Sequence, residues 1–121
     1  MTPEIEKLLA VLDMTEEEQY CWVMNNFPDE GWKPFPDDED DSCIRIAKSQ
    51  YSRITADLAF KMRDEAVKTK AYKYAQRLVW ERTEYKNAQP FKPMNPQVWW
   101  LDMSQPIHWI IAALIAQEQS K

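Results

Sequence analysis

Residues 54–85 read ITADLAFKMRDEAVKTKAYKYAQRLVWERTEY, and this stretch decides the fold of the 121-residue chain. It contains neither proline nor glycine and is rich in the helix-favouring residues Ala, Lys, Arg, Glu and Leu. A single helix over residues 55–85 would run roughly 46 Å at about 1.5 Å per residue, longer than a small domain is wide. We therefore expect two helices with a bend near Lys68–Lys70, although one long projecting helix stays open. The apolar face is predicted to continue through Tyr74, Ala75 and Leu78.

Helix signals flank this stretch on both sides. Thr2 before Pro3 favours a helix start, and Thr15 with Glu18 three residues later is a capping-box pattern. Near the C-terminus an apolar run follows Ser104, which we expect to cap a buried last helix. The helices are predicted near 3–12, 16–26, 43–67, 70–86 and 105–118.

The chain is expected to form a single helical domain over residues 1–121. We predict an all-α, mainly helical fold: a compact bundle of about five helices, since a single glycine in the chain argues against tight β turns. Residues 28–42 hold three prolines and five consecutive acids and predict an acidic loop, while residues 87–103 predict a Pro-rich connection. One short strand pair stays open, because residues 43–47 alternate weakly like a strand and residues 97–101 fit either a strand or a lid on the core.

Charge is segregated along the chain. Residues 1–44 hold 13 acidic and two basic residues, a net charge of −11, while residues 45–92 hold 12 basic and five acidic residues, a net charge of +7. In the interpretation we favour, the acidic front half packs beside the basic helices and the two fields cancel. In the other, a basic face stays open for nucleic acid or an acidic partner, with Trp80 and Trp99 as exposed aromatics. Its cations would be Lys61, Arg63, Lys68, Lys70, Lys73 and Arg77.

No residue pattern predicts catalysis, a cofactor or a bound metal. His108 is the single histidine, it lies in the most apolar run, and we predict a structural role for it. Glu81 and Glu84 form an E-x-x-E pair of the kind that binds Mg²⁺ in all-α nucleotide pyrophosphatases. Such sites need a second acidic pair, for which Asp64-Glu65 is the one candidate, so this enzyme class is a weak alternative to a protein without catalysis.

Cysteine use and hydropathy bear on the compartment. Cys21 and Cys43 are expected to be free thiols in a reducing cytosol, since the N-terminus shows no signal-peptide pattern. No apolar run approaches the roughly 20 residues of a membrane span. We therefore expect a cytoplasmic protein that does not enter membranes.

Two blocks together resemble a set of small phage- and prophage-encoded proteins of unknown function: ITADLAFKMRDEAV at 54–67 and SQPIHWIIAALIAQE at 104–118. An ADLAFRLRDEA-like helix and a closing QPIHWI-x-AAL helix are what the blocks share with that family. The resemblance implies a phage accessory protein acting in the bacterial host cytoplasm. It brings no catalytic residues to this chain.

Two functions follow as expectations. The first is a non-enzymatic module that binds a host or phage protein, for instance as an inhibitor of a defence system. The alternative is a nucleic-acid-associated protein that uses the basic helices of residues 55–86. A homodimer through the long helix is a further expectation.

Overall fold

The computed structural model describes residues 2–27, 43–85, 95–102 and 104–120, with side chains for 2–27, 54–83, 95–101 and 104–120. This part of the chain is helical, as predicted, and contains no strand. No helix within it is long and apolar enough to span a bilayer. The six α-helices, numbered in chain order, are α1 (Pro3–Val11), α2 (Glu16–Asn26), α3 (Cys43–Ala66), α4 (Ala71–Trp80), α5 (Pro96–Asp102) and α6 (Pro106–Gln119).

The strand pair considered above is wrong. Residues 43–47 form the first turns of α3, and residues 97–101 lie within α5. The Pro-rich connection therefore contains a helix that the sequence did not predict. The acidic loop 28–42 and residues 86–94 lie outside the described residues.

The first two helices begin as their sequences predict. The Thr2 hydroxyl accepts a hydrogen bond from the Ile5 amide at 3.3 Å and caps α1. At α2 the Thr15 hydroxyl accepts from the Glu18 amide at 3.2 Å, while the Glu18 carboxylate accepts from the Thr15 amide at 3.1 Å. These bonds to Thr15, the backbone one first, lower the pKa of Glu18. The amides of Thr15 and Glu18, which have no carbonyl partner within α2, thus each bond to the side chain of the other residue.

The long stretch bends, as predicted, and is not one projecting helix. A turn over residues 67–70 separates α3 from α4, and the Thr69 hydroxyl donates to the Ala66 carbonyl at 2.8 Å within it. The turn resets the helical phase, so the apolar face of α4 does not continue that of α3. Tyr72 is buried, and the prediction that Tyr74 faces the core is wrong because Tyr74 is exposed.

The core is built around α6, which packs against α3, α4 and α1, while α2 packs on α3 and α5 packs mainly on α4. Burial on all sides explains why α6 is apolar almost all round. After α4 the chain continues in a π-helical turn, Glu81–Tyr85. The fully buried residues of α6 are Ile110, Ile111, Ala112, Ala113 and Ile115.

Candidate functional site

The six predicted cations are all exposed, but they do not form one continuous face. Arg63 lies on α3, with its guanidinium carbon 4.9 Å from the centre of the Trp109 ring. Lys68 pairs with Glu65 across a single turn, at 3.4 Å, and both side chains are largely exposed. Lys73 and Arg77, four residues apart, share one side of α4. This last pair lies beside a concave surface.

That concave surface is a cleft of about 750 Å³ between α4 and α5, hereafter the α4–α5 cleft. The Trp100 indole Nε1–H donates to the Gln76 carbonyl at 3.1 Å and so fastens α5 to α4 along the cleft. At the start of α5 the Asn95 side chain accepts from the Gln97 amide at 2.9 Å. The lining side chains are Lys73, Gln76, Arg77, Asn95, Pro96, Gln97, Trp100 and Leu101.

An apolar edge adjoins these polar groups. Leu101 lines the cleft with 85% of its surface exposed, and Val98, one turn earlier on α5, is 42% exposed. Trp99 is buried and Trp100 is half-buried against α4, and the two rings meet edge to face at 5.2 Å between ring centres. Sequence reasoning missed this edge because it did not predict α5. The signal was there in the spacing of Val98 and Leu101.

Trp80 and Trp99 do not fit the role that the sequence suggested for them. The prediction that both are exposed is wrong: Trp80 is 6% and Trp99 4% exposed. Trp80 lies on the buried side of α4, and Trp99 packs against the His108 ring at 4.9 Å between centres. Because stacking on a base needs an open ring face, neither indole is placed for it.

The charge on α4 is only partly neutralised. Arg77 Nε donates to the Glu81 carboxylate at 3.1 Å, in an exposed pair worth at most about 1 kcal/mol. Lys70 and Lys73 form no ion pair with the described residues. The cleft therefore keeps a net positive lining.

The acidic front half does meet the basic helices, at Arg82. Its Nε and Nη2 donate to one Asp13 carboxylate oxygen at 2.9 and 2.5 Å, and its Nη1 donates to Glu6 at 3.0 Å. The hydrogen bonds with Asp13, first among the causes, raise the pKa of Arg82. The interpretation in which the two fields cancel is supported at this contact, nine residues along the chain from Lys73. Residues 37–41, which carry five of the 13 acidic residues in this half of the chain, lie outside the described residues.

His108 acts as a helix cap. Its Nδ1 accepts a hydrogen bond from the Gln105 amide at 2.8 Å, so that nitrogen carries no proton. Burial lowers the pKa of His108 to about 4. Ser104, expected to cap α6, does not, since the N-cap residue is Gln105, one residue later. The Ser104 hydroxyl instead accepts from the Trp109 indole at 3.0 Å.

Acidic side chains are not gathered for metal binding. The described part of the chain holds no group of three or more His, Cys, Asp or Glu residues that could coordinate a metal ion. Within the E-x-x-E pair, the Glu81 carboxylate is bound to Arg77, and the Glu84 side chain lies outside the described residues.

The expectation of free thiols is wrong for Cys21, which is disulfide-bonded. The chain has one other cysteine, Cys43, whose side chain lies outside the described residues. Cytosolic glutathione and thioredoxin keep thiols reduced, so the disulfide speaks against a reducing compartment. A cytoplasmic location stays a prediction.

The α4–α5 cleft is the candidate site. Its cations and amides can donate hydrogen bonds to an anionic group while Leu101 contacts an apolar one. No family model, no curated protein and no solved structure matches the chain.

Proposed function

We propose that this protein is a non-enzymatic protein-binding module that docks its partner in the α4–α5 cleft. The exposure of Leu101 carries the proposal. Large apolar side chains beside a concave, polar-rimmed surface are typical of interaction sites. Covering a leucine of this kind is worth about 1.5–3 kcal/mol, enough to anchor a weak complex.

The chemistry of the cleft favours an acidic partner segment with an apolar side chain. Lys73 and Arg77 offer positive charge on the α4 side, and Leu101 offers apolar contact on the α5 side, with Val98 exposed on the adjoining edge. Exposed charge pairs contribute little affinity, about 0–1 kcal/mol each, but they accelerate association and select against basic partners. The apolar edge would supply the affinity and the two cations the selectivity.

A phage accessory role is part of the same proposal. The two blocks that resemble phage proteins form the C-terminal part of α3 and nearly all of α6, and these helices pack against each other. The resemblance thus lies in the core, whereas the α4–α5 cleft lies outside both blocks. A shared core with a separate docking surface suits a family whose members bind different host or defence proteins.

Nucleic acid is the second candidate partner. The exposure of all six predicted cations favours it, because neutralising phosphates is the main source of non-specific affinity. The burial of Trp80 and Trp99 counts against a single-stranded ligand, which needs stacking platforms. The exposed leucine is also better explained by a protein partner.

A photo-reactive amino acid placed at position 101 tests the proposal. In bacterial lysate it should cross-link one protein, and the same group at Gln119, exposed at the end of α6, should not. Adding Lys73→Glu with Arg77→Glu should abolish the cross-link. The captured protein, once purified, should bind at least about tenfold more weakly to the charge-reversed variant.

A gel-shift assay with DNA at low and moderate salt tests the nucleic-acid alternative. Retarded single- or double-stranded DNA, a steep salt dependence and no protein cross-link at position 101 would replace the protein partner by nucleic acid. Equal cross-linking from positions 101 and 119 would mean that the cleft is not a docking surface.

A further inference from the structure

We propose that a second copy of this chain binds to the outer face of α3, at a surface distinct from the α4–α5 cleft and independent of the function assigned to it. This surface, the α3 patch, consists of Phe60, Arg63, Asp64 and Val67. Phe60 is 53% and Val67 52% exposed. They are seven residues apart, so they lie on the same side of the helix, two turns from each other.

The α3 patch is an ordered surface. The Phe60 ring meets the Trp109 ring edge to face at 5.3 Å between centres, and Arg63 lies over the same indole. Val67 stays in helical register, because its amide donates to the Arg63 carbonyl at 2.9 Å. Aromatic side chains that are already held in place lose little conformational freedom when a partner covers them.

Two opposite charges lie between the apolar residues. Arg63 and Asp64 are exposed, and neither forms an ion pair with a described residue. The patch therefore presents, in order along the helix, an apolar, a positive, a negative and an apolar side chain. That order is complementary to itself when it is reversed.

A twofold axis perpendicular to α3 reverses the order of these side chains in the second copy. Two antiparallel α3 helices related by an axis between positions 63 and 64 bring Phe60 of one copy onto Val67 of the second copy. The same operation places Arg63 opposite Asp64 of the second copy, and every contact occurs twice, as in any isologous dimer.

Neighbouring arrangements are worse. A shift of one helical turn in one direction sets Arg63 against Lys61, and a shift in the other direction sets it against Lys68, so like charges meet in both. A parallel pair sets Arg63 against Arg63. Like charges that face each other disfavour these alternatives, so the charge pattern selects one register.

The dimer is expected to be weak. One helix face covers less than the roughly 1,200 Å² of a standard stable interface, so association should show at high protein concentration. Sedimentation equilibrium of the full chain, from about 10 µM to about 1 mM at low salt, should show a reversible monomer–dimer equilibrium. A monomer over the whole range would overturn the proposal.

Charge exchange tests the register. Arg63→Asp and Asp64→Arg should each weaken dimerisation at least about fivefold, because each places like charges across the axis twice. The double variant, with both charges exchanged, should return to within about twofold of the parent. It lacks the Arg63–Trp109 contact just as the first single variant does, so recovery cannot come from that contact. A double variant as weak as either single variant would rule out this register.

A matched pair of apolar substitutions separates the α3 patch from the cleft. Phe60→Ser should weaken dimerisation about tenfold, whereas Leu101→Ser should leave it unchanged. The opposite result would move self-association to the α4–α5 cleft and overturn the proposal. If the α4–α5 cleft binds no protein, the proposed function fails, but the monomer–dimer equilibrium is still expected in sedimentation.

Discussion

The helices α5 and α6 follow each other in the chain, both begin with a proline and both are rich in large apolar residues, yet they lie in opposite environments. Every aliphatic residue on the inner sides of α6 is buried between α1, α3 and α4, whereas α5 packs mainly on α4 and leaves Val98 and Leu101 in solvent. The number of neighbouring helices, more than the apolar content of a segment, decides whether it builds the core or offers a surface.

The two helices should differ most in how much their apolar side chains contribute to the stability of the fold. Ile110→Ala should lower the free energy of unfolding by about 2–5 kcal/mol, because it removes buried contacts and leaves a cavity that close packing cannot fill. Leu101→Ala should change it by less than about 0.5 kcal/mol. Urea denaturation of both variants measures this. A substantial loss for Leu101→Ala would show that α5 is covered by other parts of the chain.

Unlike α6, the helix α2 is expected to depend on a disulfide bond for part of its stability, since it carries Cys21. Cys21→Ser, or reduction of the protein, should lower the free energy of unfolding by about 2–4 kcal/mol, the usual contribution of a native disulfide. Thermal melting with and without reductant measures the effect. Cys43→Ser, the matched variant, should behave like Cys21→Ser. A melting temperature that is the same with and without reductant would contradict the presence of the disulfide.

The start of α6 should make the stability depend on pH. His108 has a pKa of about 4 in the folded chain and about 6.5 when unfolded, so the unfolded state takes up the proton first. The stabilisation from neutral His108 is fully present above pH 6.5 and is lost as the pH falls. The loss in the free energy of unfolding should reach about 3 kcal/mol near pH 4.

His108→Gln isolates that contribution. Glutamine can still accept from the Gln105 amide, as in a capping box, but it does not titrate. Subtracting the pH profiles of the two proteins, measured by denaturation between about pH 4 and about pH 8, removes the titration of the carboxylates. A difference profile that stays flat across this window would show that His108 is not buried in its neutral form.

The smallest expected effect concerns the attachment of α5. Trp100→Phe keeps an aromatic ring but removes the hydrogen bond from Nε1 to the Gln76 carbonyl, which should cost about 1 kcal/mol. Amide hydrogen exchange should become faster in α5 and stay unchanged in α6. Equal acceleration in both helices would mean that they unfold as one unit.

Local signals in the sequence predicted five of the six described helices to within a few residues. Thr2, Thr15 and Glu18 form the caps that their order suggests, since capping depends on residues within one turn. The bend at residues 67–70 followed from length alone. α5 was missed because a short apolar run among prolines fits a strand, a lid or a helix equally well.

The errors share one physical origin. Tyr74, Trp80 and Trp99 were placed without knowledge of helix phase after the turn or of the neighbours that cover each ring. The candidate cations are exposed, as the less favoured of the two charge interpretations requires, because charged side chains avoid the interior whatever the fold. The position of Lys73 and Arg77 beside Leu101 could not be predicted, since it depends on where α5 packs. Which side chains of different helices come together depends on tertiary contacts, and the periodicity of the sequence carries no information about them.

The separation of the two surfaces has a consequence for valency. The α3 patch and the α4–α5 cleft share no residue, so a dimer formed through the first surface would carry two copies of the second. A target that repeats its binding segment could then occupy both clefts at once, and the second contact would form at the high effective concentration of a tethered site. Weak individual contacts would add up to avidity for oligomeric or repetitive partners, while single copies of the same segment would be released.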